Sequence, residues 1–267
     1  PSDDELADIE KQFEGFAGAL KKEDRKDFNK NRNGFFKISQ DKNIEILDII
    51  SNQGLVVIKE FFSKKRILDL RMSAFNFSEK VVSKNPPIKI GETPNYWRFD
   101  NDPDKSRVKR LSKSYRFFFW NKDSVKNILP TMSILSNFRN QLAGFDQNFA
   151  ESKIEDSHIS IPVMMNYPSG GGYLEAHQDP ESFQKIIIMI KLSKKGLDYQ
   201  EGGFFIQEEN SVNEDIDDYL DAGDMYIINP SCTHGVRPID PDLPLDLSKN
   251  SGRWSMWCSL VKYKSLV

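Results

Sequence analysis

Histidine and cysteine are scarce in this 267-residue chain, with His158, His177 and His234 the only examples of the first and Cys232 and Cys258 of the second. Two cysteines build no disulfide framework, so a stapled scaffold is excluded and a reducing, cytoplasmic setting is expected. Long apolar runs are also missing. The best, residues 186–190, has the length of a strand and falls far short of the roughly 20 residues a spanning helix needs, so no membrane partner is expected. The first ten residues are acidic and polar and show no signal-peptide pattern. Nor is there surplus positive charge. Against 40 acidic residues stand 37 basic ones, a net charge of −3, and a field of that sign recruits neither nucleic acid nor anionic lipid. With 38% hydrophobic residues the chain can still bury one sizeable core, and residues 1–267 are expected to form a single domain.

The pattern changes near the middle. Residues 4–28 carry Leu6, Ile9, Phe13, Phe16 and Leu20 at helical spacing between charges, which predicts an amphipathic helix. A second helix is predicted over 43–51, closed by Gly54, then a short buried strand over 55–58 and a helix over 63–75 capped by Ser63. Residues 86–116 read as irregular, and the basic run Lys105, Arg107, Lys109, Arg110, Lys113 and Arg116 as a solvated loop. An aromatic strand is predicted over 115–120 and a helix over 123–143, with Pro130 in its first turns. From 154 onward short strands follow one another between Gly, Pro and Asp/Asn turns: 157–167, 173–178, 185–192, 203–207, 224–229, 232–239 and 253–263. The acid-rich stretch 208–221 is expected to be an exposed excursion at the sheet edge. The fold class is therefore α+β, a mainly helical part over 1–153 packed outside a jelly-roll core over 154–267.

His177 and Asp179 stand one residue apart on a predicted strand, so both side chains leave the same face, about 6–7 Å apart along the chain. His234 lies on a later strand and can complete a set of two imidazoles and one carboxylate. That is the facial triad of non-haem Fe(II) oxygenases, which leaves coordination positions open for substrate-like groups and O2. Further along, Arg253 opens an alternating strand, Arg-Trp-Ser-Met-Trp, in which Ser255 shares its face. A guanidinium fork beside a hydroxyl suits a carboxylate held in a partly buried pocket. Arg237, three residues after His234 and followed by proline, is the poorer candidate for that task. His158, upstream of the core strands, reads as structural.

The chain resembles the Fe(II)/2-oxoglutarate-dependent dioxygenases. The likeness runs through Asn166-Tyr167-Pro168, Leu174 to Pro180 around His177 and Asp179, Gly202-Gly203, Gly223 to Asn229, His234-Gly235-Val236 and the Arg-x-Ser at Arg253 and Ser255. The resemblance implies a double-stranded β-helix, the cupin-like form of the jelly roll. It implies Fe(II) held by His177, Asp179 and His234, with Arg253 binding the far carboxylate of 2-oxoglutarate, Ser255 assisting and Tyr167 touching the same group. It also implies that O2 is consumed and that succinate and CO2 are released as a substrate is hydroxylated, desaturated or cyclised. In this family the N-terminal part closes the substrate pocket, which points here to Trp97, Arg98 and Arg116. Aromatics beside arginines suit a small-molecule substrate with an anionic or amino-acid-like group. Two other functions stay open: an oxygenase acting on a protein side chain or a nucleic-acid base, though net acidity disfavours a nucleic-acid partner, and a non-catalytic jelly-roll binding protein.

Overall fold

The structure, a computed structural model, describes residues 18–20 (backbone only), 46, 47, 50, 55–101, 108–121, 125, 127–179, 186–207 and 214–263. Twelve strands and two long helices are defined among them. The strands are β1 (Gly18–Leu20), β2 (Leu55–Ile58), β3 (Tyr96–Asp100), β4 (Arg110–Arg116), β5 (His158–Tyr167), β6 (Gly172–His177), β7 (Ile187–Lys191), β8 (Gly203–Gln207), β9 (Glu214–Asp215), β10 (Met225–Ile228), β11 (Thr233–Ile239) and β12 (Arg253–Lys262). The helices are α1 (Lys64–Lys80) and α2 (Ile128–Ala143).

Every named strand pair is antiparallel, and the last eight strands wind in a definite order. Strands β5, β12, β7 and β10 lie side by side in one sheet, and β6, β11, β8 and β9 in the facing one. Counted along the chain these are the first, eighth, third and sixth strands against the second, seventh, fourth and fifth. That order is the double-stranded β-helix. Strands β2 and β1 extend the large sheet beyond β10, and β4 bridges the two sheets by pairing with both β5 and β6.

The large sheet is covered on both faces, which explains its composition. Its outer face (Val56, Ile58, Met164, Ile188, Ile190, Met225, Ile227, Trp254, Met256) packs with Ile67, Leu70 and Ala74 of α1 and Ile128, Met132 and Leu135 of α2. Its inner face (Val57, Met165, Ile187, Met189, Tyr226, Ile228) meets Phe204, Ile206 and Val236 of the small sheet. A strand buried on both sides needs few polar positions, so β2 and β10 read as apolar runs and β7 as one closed by Lys191. The small sheet leaves part of β6 open to solvent. Helix α1 starts at the expected Ser63 cap, whose hydroxyl accepts from the Arg66 amide at 3.3 Å. Helix α2 tolerates Pro130 because it stands in the first turn, where no bond within the helix needs its missing N–H.

Several sequence expectations are corrected. Of the helix expected over 4–28, residues 18–20 are a strand whose Gly18, Ala19 and Leu20 pair with Val57, Val56 and Leu55, because the open edge of β2 offers ladder hydrogen bonds that outweigh helical spacing; the rest lies outside the described residues. The aromatic strand expected over 115–120 stops at Arg116. Opposite, Pro162 accepts from the Phe117 amide but has no N–H to return, and Phe118 turns its amide to the Asn95 side chain instead. Residues 110–116 of the supposed basic loop are strand β4, with Lys113 buried, its ammonium 5.2 Å from the Phe75 and Trp97 rings. Nor is the acid-rich stretch simply an excursion. Strand β9 and the 3-10 turn Ile216–Asp218 bring Asp217 inside, 1% exposed.

Candidate metal centre

Strands β6 and β11 lie edge to edge with His177 directly opposite His234, which places the two imidazole centroids 4.5 Å apart. Asp179 follows two residues after His177, and its amide donates to the Pro230 carbonyl at 3.0 Å, tying the end of β6 to the turn before β11. The Asp179 carboxylate comes within 3.6 Å of His177 Nε2, and one ligand atom from each of the three side chains lies within 4.8 Å of the others. Gly235 permits this approach: a Cβ there would meet the Leu174 carbonyl oxygen at 2.7 Å and the Phe205 ring at 2.8 Å.

Both imidazoles are anchored through Nδ1. His177 Nδ1 lies 3.0 Å from the Glu175 carbonyl and His234 Nδ1 2.9 Å from that of Cys232. A proton on each Nδ1, donated to those carbonyls, leaves each Nε2 lone pair free toward Asp179. Burial and the neighbouring His177 lower the pKa of His234 to about 4, so at neutral pH it is an uncharged imidazole able to coordinate. Two imidazoles and one carboxylate suit a borderline divalent metal such as Fe(II), and all three line one cavity of about 260 Å3.

Arg253, Ser255 and Tyr167 line the same cavity. Arg253 and Tyr167 are register partners across β12 and β5, as are Ser255 and Met165, so all face inward together. Arg253 is 1% exposed, and its guanidinium is gripped from behind. Nε donates to Asp217 Oδ2 at 2.7 Å and Nη2 to Asp217 Oδ1 at 3.1 Å and to the Tyr226 hydroxyl at 3.1 Å. Nη1, the Ser255 hydroxyl and the Tyr167 hydroxyl make no side-chain hydrogen bond among the described residues. Three such donors lining one cavity are what a carboxylate needs. Burial pushes the Tyr167 phenol up, which keeps it a neutral donor. Burial alone would raise the Asp217 carboxyl, but Arg253 and Lys191 reverse that and hold it well below the usual range.

Of the residues expected at the substrate side, the structure brings Arg116 into this cavity but not Trp97 or Arg98. Arg116 and Arg110 line it from β4. Arg116 is half-buried and makes no hydrogen bond or ion pair among the described residues; burial and the like charge of Arg98 lower its pKa to about 10, with Tyr96 and Asp100 acting the other way, which leaves it charged at neutral pH. Trp97 alternates onto the opposite face of β3, stacks on Tyr115 at 6.4 Å and donates its indole N–H to the Val81 carbonyl. Arg98 is spent on Asp100 and Asn85, at 3.0 and 2.8 Å, and lies outside the cavity lining. Arg237 points to Asp215 at 3.4 Å and covers the Phe205 ring, away from the site. The residues that sequence reasoning missed are Asp217, Lys191, Tyr226 and Arg110. Lys191 gave one signal, as a lone cation closing an apolar strand, because a buried charge of that kind requires a buried partner.

No protein-family model and no curated protein matches the sequence. Among solved structures the chain is similar to a prolyl-4-hydroxylase from Pseudomonas putida, with 13% identity and a TM-score of 0.51 over 84% of this chain and 100% of that one. It is also similar to an oxidoreductase of the 2OG-Fe(II) oxygenase family from Burkholderia pseudomallei, at 11% identity and a TM-score of 0.47 over 85% of this chain and 94% of that one. A third is a prolyl hydroxylase from Trichoplax adhaerens, solved with a hypoxia inducible factor peptide fragment, at 11% identity and 0.44 over 85% and 93%. At 13% identity the likeness to the Pseudomonas putida structure shows the fold alone. The double-stranded β-helix implied by the sequence resemblance is the one this chain adopts.

Proposed function

We propose that this protein is an Fe(II)- and 2-oxoglutarate-dependent oxygenase whose substrate is a small metabolite carrying an anionic group. The observation that carries the proposal is the convergence of His177, Asp179 and His234 in one cavity with the cavity-facing donors of Arg253, Ser255 and Tyr167. A binding protein with an incidental metal site would not need a carboxylate-binding cation beside that site.

Iron and the keto acid supply the oxidative chemistry, in which O2 is reduced, 2-oxoglutarate is decarboxylated to succinate and one oxygen atom is available to the substrate. The chain does the holding and the shielding. His177 and His234 offer their Nε2 atoms and Asp179 a carboxylate oxygen, each fixed by the backbone contacts described above. Arg253 Nη1, Ser255 and Tyr167 receive the far carboxylate of the keto acid. Phe204, Met189 and Ile187 wall the cavity with apolar surface that excludes water. Arg116 receives the acid group of the substrate on the β4 side, with Arg110 beside it. The stretch 1–267 serves as one oxygenase domain.

A second reading, a protein side chain as substrate, draws on the similarity to the Pseudomonas putida prolyl-4-hydroxylase. The polar demand of Arg116 favours the small acid. Purified protein given Fe(II), ascorbate and 2-oxoglutarate is expected to release succinate slowly without added substrate, and His177→Ala is expected not to. Equal release by both would overturn the oxygenase assignment. Small carboxylates or phosphates that accelerate wild type but not Arg116→Gln would identify the substrate class, and acceleration by proline-containing peptides alone would favour the second reading.

A further inference from the structure

Arg253 is held before any ligand arrives. One edge of its guanidinium, Nε and Nη2, is closed by the Asp217 carboxylate in a bidentate pair, and the second Nη2 proton goes to Tyr226. Asp217 is itself held on every side. The Tyr199 hydroxyl donates to Oδ2, and the Lys191 ammonium lies 3.4 Å from Oδ1. Lys191 is fully buried at the end of β7, and its other contacts are the Asp217 and Leu220 carbonyls at 3.0 and 2.9 Å. Three oxygens around one Nζ match the three hydrogens of an ammonium. The backbone makes room as well: at Gly203, with φ +138°, a Cβ would come within 2.8 Å of Asp217 Cβ and 2.9 Å of Oδ2.

Two buried cations thus share one buried carboxylate. The one nitrogen of Arg253 left over, Nη1, belongs to a side chain that lines the cavity.

We infer that Asp217 is a positioning residue for the keto acid: by clamping the Nε–Nη2 edge it turns Nη1 of Arg253 toward the cavity, so that the site selects a ligand with a second carboxylate. This rests on the assignment of Arg253 to the far carboxylate under Proposed function. Asp217 touches no ligand; it acts through Arg253.

The test compares two keto acids that differ only at the far end. Mn(II)-loaded protein, residues 1–267, is titrated calorimetrically with 2-oxoglutarate and with 2-oxopentanoate, which has a methyl group in place of the far carboxylate. Wild type is expected to prefer 2-oxoglutarate by about 10- to 100-fold, the worth of a charge-assisted hydrogen bond set. In Asp217→Asn the preference is expected to fall below about threefold, while affinities for Mn(II) and for 2-oxopentanoate stay at the wild-type values. Tyr199→Phe, which removes one donor from Asp217 and no charge, is expected to give an intermediate preference and stands in if Asp217→Asn does not fold. A preference unchanged in the folded variants would reduce Asp217 to a structural role and overturn the inference. A preference that rises would overturn it too, by showing that Asp217 competes with the ligand for Arg253. Wild type binding both acids equally would bring down the assignment of Arg253 along with it, so the two failures are distinguishable.

Discussion

Two arginines face the cavity, and they are held in opposite ways. Arg253 sits on the large sheet, 1% exposed, with two of its three nitrogens committed to Asp217 and Tyr226. Arg116 sits on the bridging strand β4, half-buried, with no hydrogen bond or ion pair among the described residues and Asp100 acting on it only through its charge. A guanidinium fixed in advance loses little side-chain entropy when its ligand binds and tolerates little variation in that ligand, whereas a loose one adapts at an entropic cost. The difference matches the tasks proposed for them: one keto acid of constant shape on the Arg253 side, a variable substrate on the Arg116 side.

The comparison is broken most forcefully by removing Arg253. Arg253→Leu takes the bidentate partner from the buried Asp217 carboxylate, and the expected loss is about 3–5 kcal/mol of folding stability, read by chemical denaturation. A loss under about 1 kcal/mol would mean that the buried pair is not the anchor described here. The same measurement on Arg116→Gln is expected to show a change within about 0.5 kcal/mol, because no partner is orphaned. What that variant should lose is the rise in melting temperature that inorganic phosphate or a small dicarboxylate gives wild type, since a ligand stabilises only the state it binds. If the variant melts far below wild type, Arg116 has a structural partner and the contrast fails.

A smaller effect comes from acid. The pKa of Asp217 is depressed in the folded protein, so its contribution is fully present above the unfolded value near pH 4 and is lost as pH falls from there through the folded value. The stability gap between wild type and Asp217→Asn should therefore be constant from pH 7 to 5 and shrink below about pH 4. A gap that widens on acidification would reverse the sign. Smallest of all is Arg98→Ala, which removes a partly exposed pair with Asp100 and is expected to cost no more than about 1 kcal/mol and leave succinate release unchanged.

These contrasts also show what the sequence could disclose. The strands of the β-helix were legible because they are short, bounded by turn residues and either alternating or wholly apolar; the boundaries expected for β5, β8 and β11 fall within a residue of those found. The meeting of His177, Asp179, His234 and Arg253 in one cavity was expected from the family resemblance; alternation places Ser255 with Arg253 on β12, but Asp179 stands two residues past the end of β6 and is not placed by it. Partners across strands were not legible. Asp217 is one acid among seven in 208–221, and nothing local marks the one that turns inward; only the buried cations Arg253 and Lys191 demand it. The side of β3 was hidden as well. Trp97 and Arg98 are adjacent and necessarily point opposite ways, so they could not both face the cavity, and register on β4 sends Trp97 toward Tyr115. Residue 18–20 pairing depends on the edge that β2 leaves open, which no local pattern reveals.

The account stands on the joint binding of metal and keto acid by one set of side chains. Anaerobic addition of 2-oxoglutarate to Fe(II)-loaded protein, followed by visible absorbance, tests that directly, because a keto acid chelating Fe(II) gives a metal-to-ligand charge-transfer band. A band that saturates at one keto acid per chain in wild type, and is absent in His234→Ala, is the predicted result. No band in wild type, or an undiminished band in His234→Ala, would contradict it.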